Sequence, residues 1–462
     1  MISTLVAGKL TPLLGTGPAW FVTGILFAAI FLAIAAGFAA VAVYAERKIA
    51  SFIQCRLGPM EVGPHRYEDL PFERLLPAGL GRLVNLLLRV LGFFLSLLLF
   101  PFTRRIGMPP GWYGLGTLVG DGVKLLGKED IIPREADSEL FRLAPYIVFT
   151  ATLAVFAVIP FGEGLVAARF DAGLLYLLAV SSLGVIGIVV GGYASNNKWS
   201  LYGAMRSVAQ VVSYEVPMGL ALLSVCVSVG SFDLVAVARA QRGWIWNWHI
   251  LSNPFLLLAG VVFLFAALAE TNRTPFDIPE AESELVSGYN TEYSGMRFAL
   301  FFLAEYANML VAGLVASLFF LGAYSTGLPY LDSLRLLQPF VLLAKAVLVV
   351  LLMIVLRWTL PRYRVDRLMT LCWKGLLPLA LIALFGVSLV AAQETLLSAS
   401  RAWKAAWFLI TLAFLSSFLL QTRKGLGPMP ARTGVPPRNN SPQAAAPTAV
   451  VATPAAGERK PR

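Results

Sequence analysis

The sequence has few of the side chains that usually bind redox cofactors. Its three cysteines, Cys55, Cys226 and Cys372, lie far apart, whereas a ferredoxin-type iron–sulfur cluster takes about four closely spaced thiolates. The two histidines, His65 and His249, lie outside every predicted membrane span, which excludes a bis-histidine haem inside the membrane. No glycine-rich loop follows a strand pattern, so no dinucleotide-binding fold is predicted. Any electron transfer that involves this chain therefore uses cofactors on a partner.

Charged residues are also scarce, at 14% of the 462 residues, whereas soluble domains average about 25%. Hydrophobic residues make up 58%. They cluster in blocks of roughly 20, the length that crosses about 30 Å of hydrocarbon. The net charge of +11 comes from Lys and Arg beside these blocks. The positive-inside rule explains that placement better than nucleic-acid binding does, so the composition predicts an all-α, multi-spanning membrane protein.

Nine apolar blocks are candidate membrane spans. The first is too long for a signal-peptide core of about 7–15 residues, so we expect a retained helix rather than a cleaved leader. Lys and Arg are concentrated in the loops after the odd-numbered spans, which predicts an external N-terminus and cytoplasmic odd loops. The predicted spans are 20–44, 145–164, 174–193, 209–230, 254–271, 298–324, 338–358, 373–392 and 403–421.

Two segments depart from this pattern. The apolar block 83–102 has arginines at both ends and one inside, so we interpret it as an interfacial segment of an insert near 65–116; a true span is the alternative. Residues 425–462 are rich in Pro, Ala and Arg. Such a composition cannot bury enough surface to fold and predicts a disordered cytoplasmic tail. The remaining residues, 1–424, form the predicted transmembrane domain.

The stretch 269–306 holds the strongest chemical signal, AETNRTPFDIPEAESELVSGYNTEYSGMRFALFFLAEY. A solvated loop could carry its acids harmlessly. However, Glu270 and Glu305 lie within apolar runs, where an ionised carboxylate is costly. Clustered carboxylates in a poorly hydrated site titrate as a coupled set and can exchange protons near neutral pH. The sequence therefore predicts a proton-handling cluster. Its acids are Glu270, Asp277, Glu280, Glu282, Glu284, Glu292 and Glu305.

Two further stretches carry weaker signals. In 195–215, Glu215 is expected one or two turns into an apolar helix, and Pro217 can kink that helix. This makes Glu215 a functional candidate, although a structural pairing with a neighbouring helix is the alternative. The stretches 46–64 (ERKIASFIQCRLGPMEVGP) and 121–133 (DGVKLLGKEDIIP) flank the insert. The second has the pattern of a short amphipathic helix at the membrane face.

Together with LPRYRVDRLMTLCWKGLLPL at 360–379, these stretches resemble the quinone-site membrane subunit of respiratory complex I, known as the subunit 1 family. The resemblance covers about 44–392 apart from the insert. It implies an eight-helix core with a long tilted first helix, and a quinone chamber formed with two peripheral subunits. The insert, the ninth span and the tail depart from that pattern.

The resemblance also implies roles for individual residues and partners. Quinone would be the substrate, FMN and iron–sulfur clusters would lie on partner subunits, and this chain would bind no cofactor or metal itself. The chain would work in a bacterial inner membrane beside other complex I subunits and lipid. The implied quinone-chamber residues are Arg56, Asp121, Lys124, Lys128, Arg206, Arg273, Phe276 and Asp277. The implied proton path comprises Glu215, Glu270, Glu280, Glu282, Glu284, Glu292 and Glu305.

Three alternatives remain at this point. A homologous subunit of a membrane-bound hydrogenase or a deazaflavin-dependent dehydrogenase shares the fold. A secondary transporter would show inverted internal repeats, and none is evident. A purely structural anchor would not need seven acids in one stretch. The complete acidic loop favours a subunit of proton-translocating NADH:quinone oxidoreductase.

Overall fold

The chain is helical in the computed structural model, which describes residues 16–56, 58–59, 116–278, 287–332, 334–396 and 409–410. The only strand-like feature within these ranges is an isolated bridge between Gly162 and Leu165. Among the described residues, seven helices are long and apolar enough to cross a membrane. The predicted all-α, multi-spanning class is confirmed. All described residues belong to the unit Met1–Leu412.

Eight apolar helices make up the part of the bundle that the structure describes. In chain order they are α1 (Thr16–Ile53), α2 (Ser138–Val155), α3 (Gly173–Ala194), α4 (Lys198–Val229), α5 (Pro254–Glu270), α6 (Gly295–Phe319), α7 (Gln338–Thr359) and α8 (Leu377–Leu396). A six-residue π-helical segment, Leu371–Leu376, joins α8 to the short helix Val365–Thr370, so that one apolar span runs over Val365–Gln393. Helix α5 has 17 residues, at the lower limit for crossing the hydrocarbon.

These helices correspond to the first eight predicted spans, with different bounds. Helix α2 begins at Ser138 rather than 145, because the Asp137 side chain caps it by accepting from the backbone N–H groups of Glu139 and Leu140. The ninth predicted span lies outside the described residues, apart from the helical Leu409 and Ile410. The tail and all of the insert except Gly116 also lie outside them.

Helix α4 corrects two expectations about the acidic end of the bundle. It begins at Lys198, capped by Asn197, rather than at 209. Glu215 therefore lies in the middle of a 32-residue helix, not one or two turns from its start. Hydrophobicity alone hid this extension, because polar and charged residues occupy the first turns. Pro217 lies inside the helix as expected.

Small residues allow the helices to approach closely, as is typical of membrane bundles. A Cβ on Gly187 of α3 would come within 2.4 Å of the Val148 side chain on α2. A Cβ on Gly313 of α6 would come within 2.7 Å of the Ala346 carbonyl oxygen on α7. Larger side chains at these positions would force the helices apart.

The amphipathic helix predicted within 121–133 lies at Gly116–Gly127, so Ile131 and Ile132 fall beyond its end. Arg47, near the end of α1, forms a 2.7 Å ion pair with Asp121 on this helix, and both side chains are nearly half exposed. Lys124 lies in its last turn. Lys128 was expected on the helix and instead follows it, because the helix ends at Gly127.

Candidate functional site

The turn that follows α5 is held against the middle of α4 by one buried amide. The Nε2 atom of Gln210 donates to the carbonyl oxygens of Ala269 and Phe276, both at 2.7 Å, and lies 3.3 Å from Oδ1 of Asn272. The Phe276 ring lies between Tyr214 and Tyr363. This clamp fixes the backbone between Glu270 and Asp277, so the acids at the end of α5 are held in place.

Glu270 and Glu305 line the same small cavity between α3, α5 and α6. The cavity has a volume of about 40 Å³ and also has polar walls from Ser181, Asn272 and Asn308. A water needs roughly 10–15 Å³ on this measure, so the space suits about three waters. The structure thus brings together two of the predicted proton-path acids around a small cavity with mixed polar and apolar walls.

Glu215 lies next to this cavity. Its Oε2 atom accepts a 3.1 Å hydrogen bond from Ser182, the neighbour of the cavity-lining Ser181, and Glu215 interacts electrostatically with Glu270. The other carboxylate oxygen of Glu215 is buried and has no hydrogen-bond partner among the described residues. Three carboxylates from three helices, α4, α5 and α6, therefore converge.

Arg273 is a cation beside one of these acids. Its Nη2 atom lies 3.5 Å from Glu305, with only 3% of the side chain exposed. Its guanidinium also lies over the Tyr306 ring, 4.4 Å from the centroid. Arg273 was predicted as a quinone-chamber residue, and the structure places its guanidinium beside Glu305.

A polar chain continues from Arg273 to the first helix. The Tyr306 hydroxyl donates to Glu46 Oε2 at 2.6 Å, and Arg357 of α7 pairs with the other oxygen of Glu46. Glu46 and Tyr306 are buried. Sequence reasoning assigned no function to Glu46, Tyr306 or Arg357. The sequence feature that could have identified them is that each lies inside or beside an apolar run, as Glu270 and Glu305 do.

Other predicted site residues lie apart from this cluster. Glu292 accepts a 2.6 Å hydrogen bond from Asn197 and faces a separate open cavity beside Arg134 and Lys198. Arg56 is exposed in the turn after α1. Arg206 lines a groove on α4 together with Ile278.

Three acids of the predicted path, Glu280, Glu282 and Glu284, lie outside the described residues. Within the described part of the chain, no group of three His, Cys, Asp or Glu side chains is arranged to hold a metal ion.

Comparisons with known proteins identify the family. Residues 90–388 match the sequence pattern of NADH dehydrogenase, which is more than half of the chain. This chain belongs to the NADH dehydrogenase family of complex I membrane subunits. It is similar to the corresponding NADH-quinone oxidoreductase subunit of Rickettsia typhi, with 50% identity over 282 residues, 61% of this chain and 80% of the relative.

Two other relatives lead to the same conclusion. The corresponding NADH-quinone oxidoreductase subunit of Anaeromyxobacter dehalogenans is 46% identical over 289 residues, 59% of this chain and 70% of the relative. The subunit of Chlorobaculum parvum is 40% identical over 381 residues, which cover 80% of this chain and 93% of the relative. The predicted family is confirmed, and with it a multi-pass membrane subunit of an oxidoreductase complex.

Proposed function

We propose that this chain forms a wall of the quinone chamber of a proton-translocating NADH:quinone oxidoreductase and carries the first part of the path that couples quinone reduction to proton movement. One observation carries the proposal: Glu270 and Glu305 share a small cavity beside Glu215. NADH oxidation, FMN and the iron–sulfur clusters are assigned to partner subunits. The complex is assigned to a bacterial inner membrane.

The cavity supports proton transfer because acids and waters can alternate along it. Adjacent carboxylates in a site with little water do not all ionise together, so one proton is shared among them. A cavity for about three waters lets that proton move between Glu270 and Glu305 by short hydrogen-bonded steps. Ser182 then leads to Glu215 in the middle of α4.

Arg273 provides the link to quinone chemistry. A quinone that gains two electrons takes up two protons, which changes the charge of its surroundings. The polar chain Glu46–Tyr306–Arg273 connects the end of α1 to Glu305. A charge change at the chamber side therefore alters the attraction between Arg273 and Glu305, and with it the site at which the shared proton is most stable.

The chamber side is assigned to the region where α1 ends. Arg56 follows α1, and Asp121 of the amphipathic helix pairs with Arg47 of α1; Lys124 and Lys128 follow along the same segment. Phe276 and Asp277 belong to the turn clamped by Gln210.

The proposed acidic path extends through the acids of the stretch 280–284 and through Glu292. The hydrogenase and deazaflavin-dependent alternatives are less well supported, because the relatives are named as NADH-quinone oxidoreductase subunits.

The test is Glu270→Gln, which keeps the shape of the side chain and removes its proton-exchanging group. We expect the NADH:quinone reductase rate of the assembled complex to fall at least tenfold. This fall corresponds to a loss of transition-state stabilisation of about 1.4 kcal/mol or more. Electron transfer from NADH to an artificial acceptor upstream of quinone should stay normal. The matched control is Glu163→Gln, which lies at the opposite end of the bundle beside Arg242 and should be neutral.

Two results would contradict the proposal. Full quinone reduction and full proton pumping in Glu270→Gln would remove the proton-path function. Loss of the upstream activity as well would show that Glu270 serves assembly.

A further inference from the structure

A groove at the acidic end of the bundle combines cations with apolar side chains. It has a volume of about 620 Å³ and lies between the first turns of α4, the turn after α5 and the short helix Val365–Thr370. The residues that matter for its chemistry are Tyr202, Met205, Arg206, Ile278, Arg364 and Met369. This chemistry is independent of the proton path proposed above.

Two arginines define the polar part of the groove. Arg206 comes from α4 and its guanidinium lies over the Tyr202 ring, 4.6 Å from the centroid. Arg364 comes from the segment after α7. Asp366 also lines the groove and lies 3.3 Å from Arg364, with side chains 78% and 82% exposed respectively. An ion pair this exposed is screened by water and contributes little, so a phosphate can compete with Asp366 for Arg364.

The position of the groove along the helix matches the level of lipid headgroups. Helix α4 has 32 residues and is about 48 Å long, so roughly 18 Å extends beyond about 30 Å of hydrocarbon. The apolar part of the helix begins near residue 209, which places Arg206 just outside the hydrocarbon. Arg364 likewise follows the end of α7 at Thr359 by five residues. Tyrosine and arginine at this level are typical of the membrane interface.

An apolar path leads from the arginines toward the hydrocarbon. Met205, Val212 and Val216 are all exposed, and their spacing of seven and four residues places them on one face of α4. A single molecule that lies along this face meets charge at one end and apolar side chains at the other.

We infer that the groove binds one anionic phospholipid, with its phosphate between Arg206 and Arg364 and an acyl chain along the Met205–Val216 face. Basic pockets between membrane helices suit anionic headgroups, and a guanidinium binds phosphate with paired hydrogen bonds. A quinone headgroup is uncharged and fits two arginines less well. Arg206 is therefore assigned to lipid binding rather than to the quinone wall.

The first test counts bound lipid on the intact complex. The purified, delipidated complex is titrated with dioleoylphosphatidylglycerol, and bound phospholipid is measured by native mass spectrometry. The double variant Arg206→Gln/Arg364→Gln should retain one lipid fewer and bind it at least tenfold more weakly. Asp366→Asn should bind more tightly by a few fold, because the competing carboxylate is gone. Equal retention in all variants would overturn the inference.

One control tests whether the position of the removed charge matters, and two others distinguish a lipid phosphate from free phosphate. Arg239→Gln/Arg335→Gln removes the same charge at the opposite end and should retain lipid normally. Dioleoylphosphatidylcholine should not distinguish the variants, and inorganic phosphate should not displace the bound lipid. Displacement by inorganic phosphate at equal concentration would show an anion site without lipid selectivity and would overturn the assignment.

The second test identifies the occupant directly in native membranes. A benzophenone side chain placed at Met205, which is 55% exposed, is photoactivated in the assembled complex. A phospholipid adduct is expected, and it should be lost when Arg206→Gln/Arg364→Gln is combined with the label. An adduct with a peptide of a neighbouring protein, an adduct with quinone, or no lipid adduct would contradict the inference.

Discussion

The two ends of the bundle use buried charge in opposite ways. At the end away from the acids, the Lys345 ammonium donates to the carbonyl oxygens of Leu321, Ala323 and Ser325 at 2.6, 3.1 and 2.6 Å. It also lies 4.1 Å from the centroid of the Trp248 ring. An ammonium has three donors, and here all three have acceptors.

Two neighbouring side chains at that end are also paired, whereas the buried Trp248 Nε1 atom and Tyr324 hydroxyl have no hydrogen-bond partner among the described residues. Gln241 accepts from the Gly322 backbone N–H and donates to the Leu318 carbonyl oxygen. Asp332 accepts from the Ser325 hydroxyl and the Thr326 backbone N–H, both at 2.7 Å. Hydrogen bonds to its own backbone therefore hold the loop after α6 in place.

At the acidic end the buried carboxylates lie beside a cavity. Glu270 and Glu305 line a cavity, and one oxygen of Glu215 has no partner among the described residues. A buried cation whose donors all have acceptors stabilises a fold, whereas carboxylates clustered around a cavity indicate function. The comparison therefore predicts that substitutions at the Lys345 end change stability, and that substitutions at the acidic end change turnover.

The largest effect is expected at Arg273. Arg273→Gln leaves Glu305 without its buried cation, and breaking one partner of a buried pair typically costs about 3–5 kcal/mol. Quinone reductase activity should fall at least tenfold in complexes that assemble. Steady-state kinetics and thermal unfolding of the purified complex measure the two effects. Arg335→Gln, an exposed arginine at the other end, is the control. Unchanged turnover with lowered stability would mean that the two ends do not differ.

Lys345→Met should give the reverse result. It removes the donor of three partly buried carbonyl groups, and a buried group left unsatisfied costs about 1–3 kcal/mol. We expect a clear fall in the thermal midpoint and normal turnover per assembled complex. Differential scanning fluorimetry and quinone reductase assays on the same preparation separate these quantities. A tenfold loss of turnover without a stability change would place Lys345 in the reaction instead.

A smaller, pH-dependent effect is expected from His249, in the short helix His249–Ser252 before α5. Burial lowers its pKa from 6.5 to about 4, partly offset by its hydrogen bond to the Phe319 carbonyl oxygen. The unfolded state therefore binds a proton that the folded state excludes. Stability from this group is present above pH 6.5 and is lost as pH falls toward 4, by about 3 kcal/mol at most. His249→Gln should flatten this part of the stability–pH curve, and an identical curve would contradict the account.

Hydropathy predicted the eight helices because each needs only a local run of apolar residues. It missed the first eleven residues of α4, because Lys198 and Arg206 give that segment the composition of a loop. The helix begins there because the Asn197 side chain caps it. Hydropathy singled out Glu270, Glu305 and Glu215 as candidates because a carboxylate in an apolar run is conspicuous. The link from Glu46 to Tyr306 and Arg357 spans 260 and 311 residues, so no local pattern could reveal it. The predicted orientation in the membrane stays a prediction.

The most direct test of the central claim is a redox-induced infrared difference spectrum of the intact complex, recorded in the carboxyl C=O stretching region as quinone is reduced. The account predicts a signal from a carboxyl group that changes its protonation or hydrogen bonding. That signal should be absent in Glu270→Gln and unchanged in Glu163→Gln. The same carboxyl signal in wild type and in Glu270→Gln would show that the proton does not pass through the cavity between α5 and α6.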